Sequence, residues 1–212
     1  MGSGAAQGHQ AATFRPYVAF DFDGTLIWRD SFPVFLAWRA GPVRCGLGAV
    51  RLAPAALAYA ITHDREHLKQ AMVGEFLAGA TRDDLCDQAD RFAAQRSRRL
   101  LRPDAIRCWK RWQAQGARLI IVTASPEFLV APFARGLGAD TLIATRIAFD
   151  SSDRATGKLE GPNCRGQEKV VRIKALLGED VRLDAAYGDS DGDTQMLQLA
   201  DQPCMKVFGE RP

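Results

Sequence analysis

The chain has 212 residues, of which 47% are hydrophobic and 25% are charged, and its formal net charge is +3. These values are those of an ordinary globular protein, they fit one domain with a substantial insertion, and the charge is too small to indicate a nucleic-acid partner. Five widely spaced cysteines without a CxxC pair predict reduced, mostly buried thiols in a cytosolic protein, not a disulfide framework or a zinc site.

The first predicted strand follows residues 1–15, which are rich in Gly, Ala and Gln and which we interpret as a disordered tail or a remnant of cloning. The apolar run 17–20 predicts the strand, and Asp21, Asp23 and Gly24 come directly after it. Both carboxylates can converge beyond the strand end, where an open α/β sheet places its ligands. Acidic residues and glycine are also ordinary turn chemistry, so this pair alone leaves both interpretations open.

Residues 31–115 show helical periodicity and predict a helical insertion. Within it, residues 41–62 are unusually apolar. Because Arg44 and Arg51 interrupt the segment and Pro54 would kink it, its uninterrupted apolar length falls short of a membrane span. Two interpretations remain: a helix that covers the core, or a surface helix that lies against lipid with its arginines reaching the head groups.

Three further helices are predicted over residues 64–79, 81–101 and 103–115, with Thr81 at a helix start and packing tryptophans in the last one. The basic end of the second, at residues 91–102, suits either a solvated face or the attraction of an anionic head group. Residues 63–67 have the H-x-x-E-H spacing of a zinc-protease motif, which would place both histidines on one helix face. No third ligand follows, so we reject a zinc site.

From residue 116 the chain alternates strands and helices, the pattern of a parallel sheet. Strand 118–122 ends in Thr123, Ala124, Ser125 and Pro126, whose hydroxyl and backbone N–H groups suit a phosphate. Ser125 as helix N-cap is equally compatible with this pattern. Strand 141–147 then leads through a hairpin turn at residues 153–157 into residues 158–160.

Lys169 lies near the start of a predicted helix over residues 166–177, against the preference of that position for acidic residues, which favours a functional role. The last predicted strand, 183–187, runs into Asp189, Asp191 and Asp193 and a helix over residues 196–200. Three crowded carboxylates repel one another unless a cation is present, and oxygen ligands alone point to Mg²⁺.

The order and spacing of Asp21 to Thr25, Thr123, Lys169 and residues 188–193 resemble the four motifs of the haloacid dehalogenase superfamily. The helical insertion is similar to the cap of its phosphoserine phosphatase branch. Residues 30–32, 123–126, 144–147 and 163–170 further resemble the bacterial hydrolases that include phosphatidylglycerophosphatase C and CicA-like proteins. The resemblance implies a Rossmann-like α/β parallel sheet flanked by helices, with a catalytic core at 16–30 and 116–212 and a helical cap at 31–115.

The same resemblance implies the chemistry of the site. Asp21 would attack phosphorus and form an aspartyl-phosphate, and Asp23 would act as general acid and base, its pKa raised by the neighbouring carboxylates. Mg²⁺ would be held by Asp21, the backbone carbonyl of Asp23 and Asp189. Thr123, Ala124 and Lys169 would bind the phosphoryl group, and Asp193 would act through water or fix Lys169. In the families that the chain resembles, an acid two residues after the nucleophile is typical of phosphatases and phosphomutases and is absent from dehalogenases. Asp23 stands at this position, so the resemblance implies phosphoester chemistry.

The leaving group is less constrained by the sequence. Asp30 stands where phosphoserine phosphatases have a glutamate that serves the substrate amine, so it is a candidate specificity residue or a helix cap. The apolar segment and the basic run suit a lipid phosphate such as phosphatidylglycerophosphate. We therefore expect a cytoplasmic enzyme, in possible peripheral contact with an anionic membrane surface. The alternatives are a phosphoserine or other soluble phosphomonoester phosphatase, a phosphomutase, or an inactive phosphate-binding protein.

Overall fold

The computed structural model describes residues 15–212, so the predicted tail, apart from Arg15, lies outside the described residues. One sheet contains six strands: β1 Tyr17–Phe20, β2 Arg118–Pro126, β3 Thr141–Phe149, β4 Ala155–Glu160, β5 Leu183–Gly188 and β6 Ala200–Met205. Their order in the sheet is β4-β3-β2-β1-β5-β6. Only β4 runs antiparallel to its neighbour, because it returns from β3 through the predicted hairpin.

The predicted α/β class is confirmed, with a mixed rather than wholly parallel sheet. Two features near the C-terminus differ from the sequence prediction. The helix expected at residues 196–200 is the single turn α7, Thr194–Leu197, which follows a 3-10 turn at Asp191–Asp193. The strand β6 was not predicted, and it pairs in parallel with β5 along the edge of the sheet.

Within residues 15–212 seven helices flank the sheet, and four of them come between β1 and β2, as the helical periodicity predicts. Asp64 and Thr81 cap the second and third by accepting hydrogen bonds from backbone N–H groups. The bounds are α1 Ser31–Thr62, α2 Arg65–Leu77, α3 Arg82–Leu100, α4 Pro103–Ala114, α5 Glu127–Leu137 and α6 Gln167–Leu177, in addition to α7. The division into core and cap stays a prediction.

Helix α1 is broken at Gly41, whose φ of +72° and ψ of 172° are not helical and favour a residue without a Cβ. Pro42 then opens the second piece, residues 42–62, so the break in α1 lies at Gly41, whereas the backbone at Pro54 keeps helical dihedral angles. By length and composition α1 could cross a membrane, so its exclusion on length is not supported. Only 11% of the most apolar stretch of α1 is buried. Core helices of globular proteins can be equally long and apolar, so length and composition alone do not assign α1 to a bilayer.

The core forms two apolar clusters on opposite faces of the sheet. Alternate side chains of β1 serve both clusters, with Val18 and Phe20 on one face and Ala19 on the other. Trp109 of α4 packs against Phe20, with 5.0 Å between ring centroids. Because β1 lies between β2 and β5, the residues at the carboxyl ends of these three parallel strands become neighbours.

Two expectations about single residues are corrected by the fold. All five cysteines are free, but only Cys108 and Cys164 are buried and Cys86 is exposed, so the thiols are not mostly buried. His63 ends α1 in a left-handed conformation, whereas His67 lies inside α2. The two histidines therefore do not share a helix face, because Asp64 starts a new helix between them.

Candidate active site

The carboxyl ends of β1, β2 and β5 open onto a cavity of about 500 Å³. The structure brings every candidate site residue to this cavity, although they come from both ends of the chain. Each candidate is part of the cavity wall: Asp21, Asp23, Asp30, Thr123, Ala124, Lys169, Asp189 and Asp193.

Lys169 is fully enclosed at the floor of the site, with 1% of its surface exposed. Its Nζ donates to Asp21 Oδ1 at 2.6 Å, to Asp193 Oδ1 at 2.6 Å and to the Val122 carbonyl at 2.7 Å. Burial alone would lower the pKa of Lys169, but the charges of Asp21 and Asp193 outweigh it and raise the pKa. Lys169 is therefore charged, and all three of its protons have acceptors.

Asp193 fixes this lysine and the loop that carries Asp189. While its Oδ1 accepts from Lys169, its Oδ2 accepts from the backbone N–H groups of Asp189 and Ser190 at 3.1 and 2.9 Å, and from the Ser190 hydroxyl. Burial would raise the pKa of Asp193, but Lys169 and Ser190 outweigh it and hold the pKa low. Both oxygens are committed, so Asp193 suits the predicted role of fixing Lys169.

Asp21, Asp189 and Asp193 form a cluster, and within it the carboxylate oxygens without a hydrogen bond belong to Asp21 and Asp189. Side-chain oxygens of Asp21, Asp189 and Asp193 all lie within 4.8 Å of one another. Within residues 15–212, Asp21 Oδ2 and both oxygens of Asp189 accept no hydrogen bond from protein. Without a cation, burial raises the pKa of Asp21 to about 8 against the attraction of Lys169, and burial followed by Asp193 raises the pKa of Asp189. A bound divalent cation would lower both pKa values and keep the carboxylates ionised.

This donor set fits a hard divalent cation. Three clustered carboxylates face one lysine, which leaves negative charge that a cation would offset, and all available ligand atoms are oxygens. Gly24 makes room for the arrangement: it has a φ of +81°, and a Cβ there would lie against the Asp189 carboxylate at a separation that real Cβ atoms do not show. The acidic cluster is thus built around a glycine.

Asp23 is held by two hydrogen bonds from other elements. Its Oδ1 accepts the Ser31 N–H at 2.7 Å, at the start of α1, and its Oδ2 accepts the Ser125 hydroxyl. The expected N-cap role of Ser125 is therefore wrong. Helix α5 has Pro126 at the N-cap position and no side-chain cap, because the Ser125 hydroxyl is used for Asp23.

The pKa of Asp23 is raised to about 6, first by burial and next by the charge of Asp30. The direction agrees with the expectation for a proton shuttle, but its cause differs, since we expected Asp21, Asp189 and Asp193 to raise it. Asp30 is exposed at the cavity mouth and makes no side-chain cap bond to α1, although it occupies the N-cap position. Asp30 thus acts on Asp23 through its charge and does not cap the helix.

Thr123 and Ala124 line the end of β2. The Thr123 hydroxyl oxygen accepts the Ser125 N–H at 3.0 Å, and its own proton has no protein acceptor within the described residues. Thr123 is 1% exposed but lines the cavity, so an oxygen bound there is able to accept this proton.

Two residues at the site were missed by the sequence analysis. Lys69 reaches in from α2, and its Nζ donates to the Ala124 carbonyl at 2.6 Å and to Asn163 Oδ1 at 2.8 Å. No local pattern around Lys69 indicates this, whereas Asn163 lies in the segment that resembles a family motif. The basic residues of the cavity do not come from the predicted run at 91–102; they are Arg29, Arg65, Lys69, Arg165 and Lys169.

Comparison with known proteins identifies the family of the chain. The sequence profile of the haloacid dehalogenase-like hydrolases matches residues 18–198. Protein CicA of Caulobacter vibrioides is 52% identical over 195 residues, which cover 92% of this chain and 87% of that protein. A protein of unknown function from Bordetella pertussis Tohama I is 27% identical with a TM-score of 0.73, over 88% of this chain and 87% of the other.

A phosphoserine phosphatase, solved as an analogue of its phospho-aspartyl intermediate, is similar in fold. It is 20% identical with a TM-score of 0.58, over 88% of this chain and 83% of the other. The family profile confirms the predicted superfamily, the Caulobacter relative confirms the predicted resemblance to CicA-like proteins, and the phosphoserine phosphatase structure confirms the fold. The chain belongs to the haloacid dehalogenase-like hydrolase family.

Proposed function

We propose that the chain is a Mg²⁺-dependent phosphatase that hydrolyses a phosphomonoester through a covalent phosphate on Asp21. The observation that carries this proposal is the pairing of Asp21 Oδ1 with Lys169, which leaves Asp21 Oδ2 without a protein partner at the cavity. A carboxylate held by one oxygen presents the other to a phosphorus atom in a fixed orientation.

Asp23 supplies and removes the proton in the two displacements. As Asp21 Oδ2 bonds to phosphorus and the ester bond breaks, Asp23 gives its proton to the leaving alcohol oxygen. Asp23 then takes a proton from water, whose oxygen attacks phosphorus while the bond to Asp21 breaks and phosphate is released. The Ser31 N–H and the Ser125 hydroxyl hold the Asp23 carboxyl in one orientation for both steps.

Thr123, Ala124 and Lys169 bind the phosphoryl oxygens. Thr123 offers its free hydroxyl proton, and we assign the backbone N–H of Ala124 as a second donor. All three protons of Lys169 are in use, so it reaches a phosphoryl oxygen by giving up Asp21 Oδ1. This exchange is favourable because negative charge leaves the Asp21 carboxylate when it becomes an acyl phosphate, while the phosphoryl oxygens stay charged.

Asp21 and Asp189, with the backbone carbonyl of Asp23, would hold Mg²⁺, whereas Asp193 keeps Lys169 in place. When bound, Mg²⁺ offsets the negative charge of the phosphoryl oxygens. The unpaired oxygens of Asp189, the Asp21 Oδ1 that Lys169 gives up, and the space left by Gly24 support this assignment.

A lipid phosphate, such as phosphatidylglycerophosphate, is the substrate that we propose, because the outward face of residues 42–62 is apolar. Five large side chains along it are between 56% and 78% exposed, and spacings of three, four and seven residues place them on one helix face: Val43, Leu47, Val50, Leu57 and Ile61. The opposite face packs on α2, where Gly48 lies against Phe76. A solvated apolar stripe of this length is costly in water and suits the surface of a bilayer.

The arginines near this face do not reach outward as the sequence analysis expected. Arg44 and Arg51 pair with Glu75 of α2 instead of reaching outward to head groups. Tyr59, on the same helical piece, lines the active-site cavity. One helix therefore carries both the apolar face and a residue of the cavity, and the proposal places the head group of a bound lipid at the cavity mouth.

In this proposal the chain acts in the cytoplasm, in peripheral contact with the inner face of the membrane, with residues 16–30 and 116–212 as catalytic core and residues 31–115 as cap. A soluble phosphomonoester such as phosphoserine is the second candidate substrate. Asp30 favours it, because this exposed carboxylate at the cavity mouth is able to meet a substrate amine. Asp30 is the proposed specificity residue in either case.

A Mg²⁺-dependent phosphate-release panel tests the function. It contains phosphatidylglycerophosphate in anionic vesicles, O-phosphoserine and a sugar phosphate, and the expected result is the highest kcat/KM for the lipid. The variant D21N should have no turnover on any of them. Wild-type activity in D21N would contradict the proposal, and phosphate found on a second sugar hydroxyl would indicate a mutase.

Flotation with anionic vesicles tests the membrane contact separately. The variant L57E places a charge on the apolar face and should reduce co-flotation, whereas L176E, at an exposed leucine of α6, is the matched control and should float like the wild type. If the wild type does not bind the vesicles and hydrolyses only water-soluble esters, the lipid substrate is wrong while the phosphatase activity stands.

A further inference from the structure

Lys69 is a half-buried cation at the cavity, and one of its protons has no acceptor in the described part of the chain. Its Nζ uses two of its three protons, for the Ala124 carbonyl and for Asn163 Oδ1. Within the described chain no carboxylate lies within ion-pair distance of Lys69. Burial lowers the pKa of Lys69 to about 8, and the charged or titratable groups that act on it are Asp23, Asp30, Cys164 and Arg165.

Asn163 beside it also has an unused donor. The Thr145 hydroxyl oxygen accepts the Cys164 N–H at 3.0 Å, so its own proton goes to Asn163 Oδ1 at 2.9 Å. With Lys69 as second donor, this identifies the atom as the amide oxygen and fixes the side chain. Asn163 is 5% exposed and lines the cavity, yet its Nδ2 has no protein acceptor within residues 15–212.

An anion in the cavity would satisfy both groups. An ammonium without a carboxylate partner and an amide N–H without a protein acceptor, which both line the cavity, are free to donate to a bound oxygen. The two groups are held next to each other by their mutual hydrogen bond, so one oxygen-rich anion is able to contact both. This pair is separate from Thr123 and Lys169, which we assign to the transferred phosphoryl group.

We propose that Lys69 and Asn163 form a second anion subsite, which binds a negatively charged group carried by the leaving alcohol. The inference rests on the proposed phosphatase function and narrows its substrates to phosphomonoesters whose alcohol bears a phosphodiester or a carboxylate. A lipid phosphate such as phosphatidylglycerophosphate carries the first and phosphoserine the second, so the experiment separates these two sources.

Kinetics on matched esters test the subsite. The water-soluble esters are glycerophosphoglycerol phosphate, which has a second anion as a diester, O-phosphoserine, which has a carboxylate, and glycerol 3-phosphate, which has neither. The variant K69Q should lower kcat/KM for an anion-bearing ester at least tenfold more than for glycerol 3-phosphate, mainly through KM. This outcome reflects lost binding in the ground and transition states alike.

The controls separate a binding role from a structural one. K158Q removes an exposed lysine of β4 and should leave both specificity ratios at the wild-type value. K69R keeps a charge and should restore part of the preference. The ester with the larger loss in K69Q, diester or carboxylate, identifies the anion. If K69Q slows all three esters equally, Lys69 serves the transferred phosphate or only the packing of α2, and the subsite is wrong.

A binding measurement decides the matter even if none of these esters is turned over. Titration calorimetry of the wild type with glycerophosphoglycerol and with glycerate, which have no phosphomonoester, should show heat of binding for at least one of them. K69Q and N163L should weaken that binding at least tenfold, while K158Q should not. Equal binding by wild type and both variants, or no binding at all, overturns the subsite; phosphate release from any ester leaves the proposed phosphatase intact.

Discussion

The substitution G24A tests the metal site through a residue that carries no functional group. Gly24 has a φ of +81°, and an added Cβ would meet both oxygens and the carboxylate carbon of Asp189 within 2.9 Å. Ordinary contact begins at 3.4 Å. The nearest Asp189 oxygen lies at 2.0 Å and must therefore move by about 1.4 Å, whereas metal–oxygen distances hold to within about 0.2 Å.

This displacement removes or distorts one of the two carboxylates with free oxygens. We expect the Mg²⁺ concentration for half-maximal activity to rise by about 10- to 100-fold, the range for disturbed metal sites. The left-handed backbone adds a cost of about 1–2 kcal/mol in the free energy of unfolding, because an alanine there strains the chain. Metal titration of phosphate release and thermal unfolding measure the two effects separately.

Gly79 provides a matched control. Its φ is also +81°, but a Cβ there meets nothing within 4 Å. G79A should therefore lose similar stability while its Mg²⁺ dependence stays that of the wild type. A wild-type Mg²⁺ dependence in G24A would refute the assignment of Asp189 as a ligand, and an equal shift in G79A would trace the effect to backbone strain.

Three further predictions follow from the site and its surroundings. The preference of the wild type for an anion-bearing ester over glycerol 3-phosphate should fall as pH rises through about 8, because the Lys69 ammonium is charged below its pKa and neutral above it; in K69R the ratio should stay level over this range. D23N should slow alkyl phosphates by about 10²-fold or more relative to p-nitrophenyl phosphate, whose leaving group needs no proton, and equal slowing of both would argue against proton transfer by Asp23. G157A should lower the free energy of unfolding in urea by about 1–3 kcal/mol more than G161A, because both glycines have a positive φ but only a Cβ at Gly157 meets the backbone of α2, at 3.1 Å; equal losses would contradict this packing.

The parts of the site that lie at strand ends could be predicted from sequence. Asp21, Thr123 and Asp189 each follow or end a short apolar run, and parallel strands bring their carboxyl ends to one edge. The sheet brings the ends of these strands together, so it is enough to recognise each strand and the polar residue at its end from the local sequence. Lys169 was found because a lysine at a helix start conflicts with the helix dipole.

Lys69 and Asn163 could not be found in this way, because their contact joins residues 94 positions apart. It depends on the docking of α2 against β4, where Gln70 bonds to the Gly157 carbonyl and the Leu159 N–H. A polar helix surface gives no local sign of which side chain will be buried. The cause of the raised pKa of Asp23 could not be predicted from local sequence either, because it is burial and the charge of Asp30 rather than the neighbouring acidic cluster.

Strand β6 and the break in α1 show two limits of local patterns. The sequence of β6 includes Asp201, Gln202 and Pro203, which have low strand propensity, and it forms because the edge of β5 offers hydrogen-bonding groups. In α1, Gly41 followed by Pro42 starts a new helical piece, since proline is favoured at the first helical position. Pro54 stays helical on the exposed face, where water is able to solvate the carbonyl that lacks a partner.

The covalent phosphate on Asp21 is the central claim, and trapping it is the most direct test. The wild type with Mg²⁺ is mixed with a ³²P-labelled phosphomonoester, quenched in acid within milliseconds, and mapped by mass spectrometry. We predict an acid-stable, hydroxylamine-sensitive label on Asp21 that forms fast enough to account for turnover and is absent in D21N. Turnover without any labelled protein, or a label on another residue, would contradict the account.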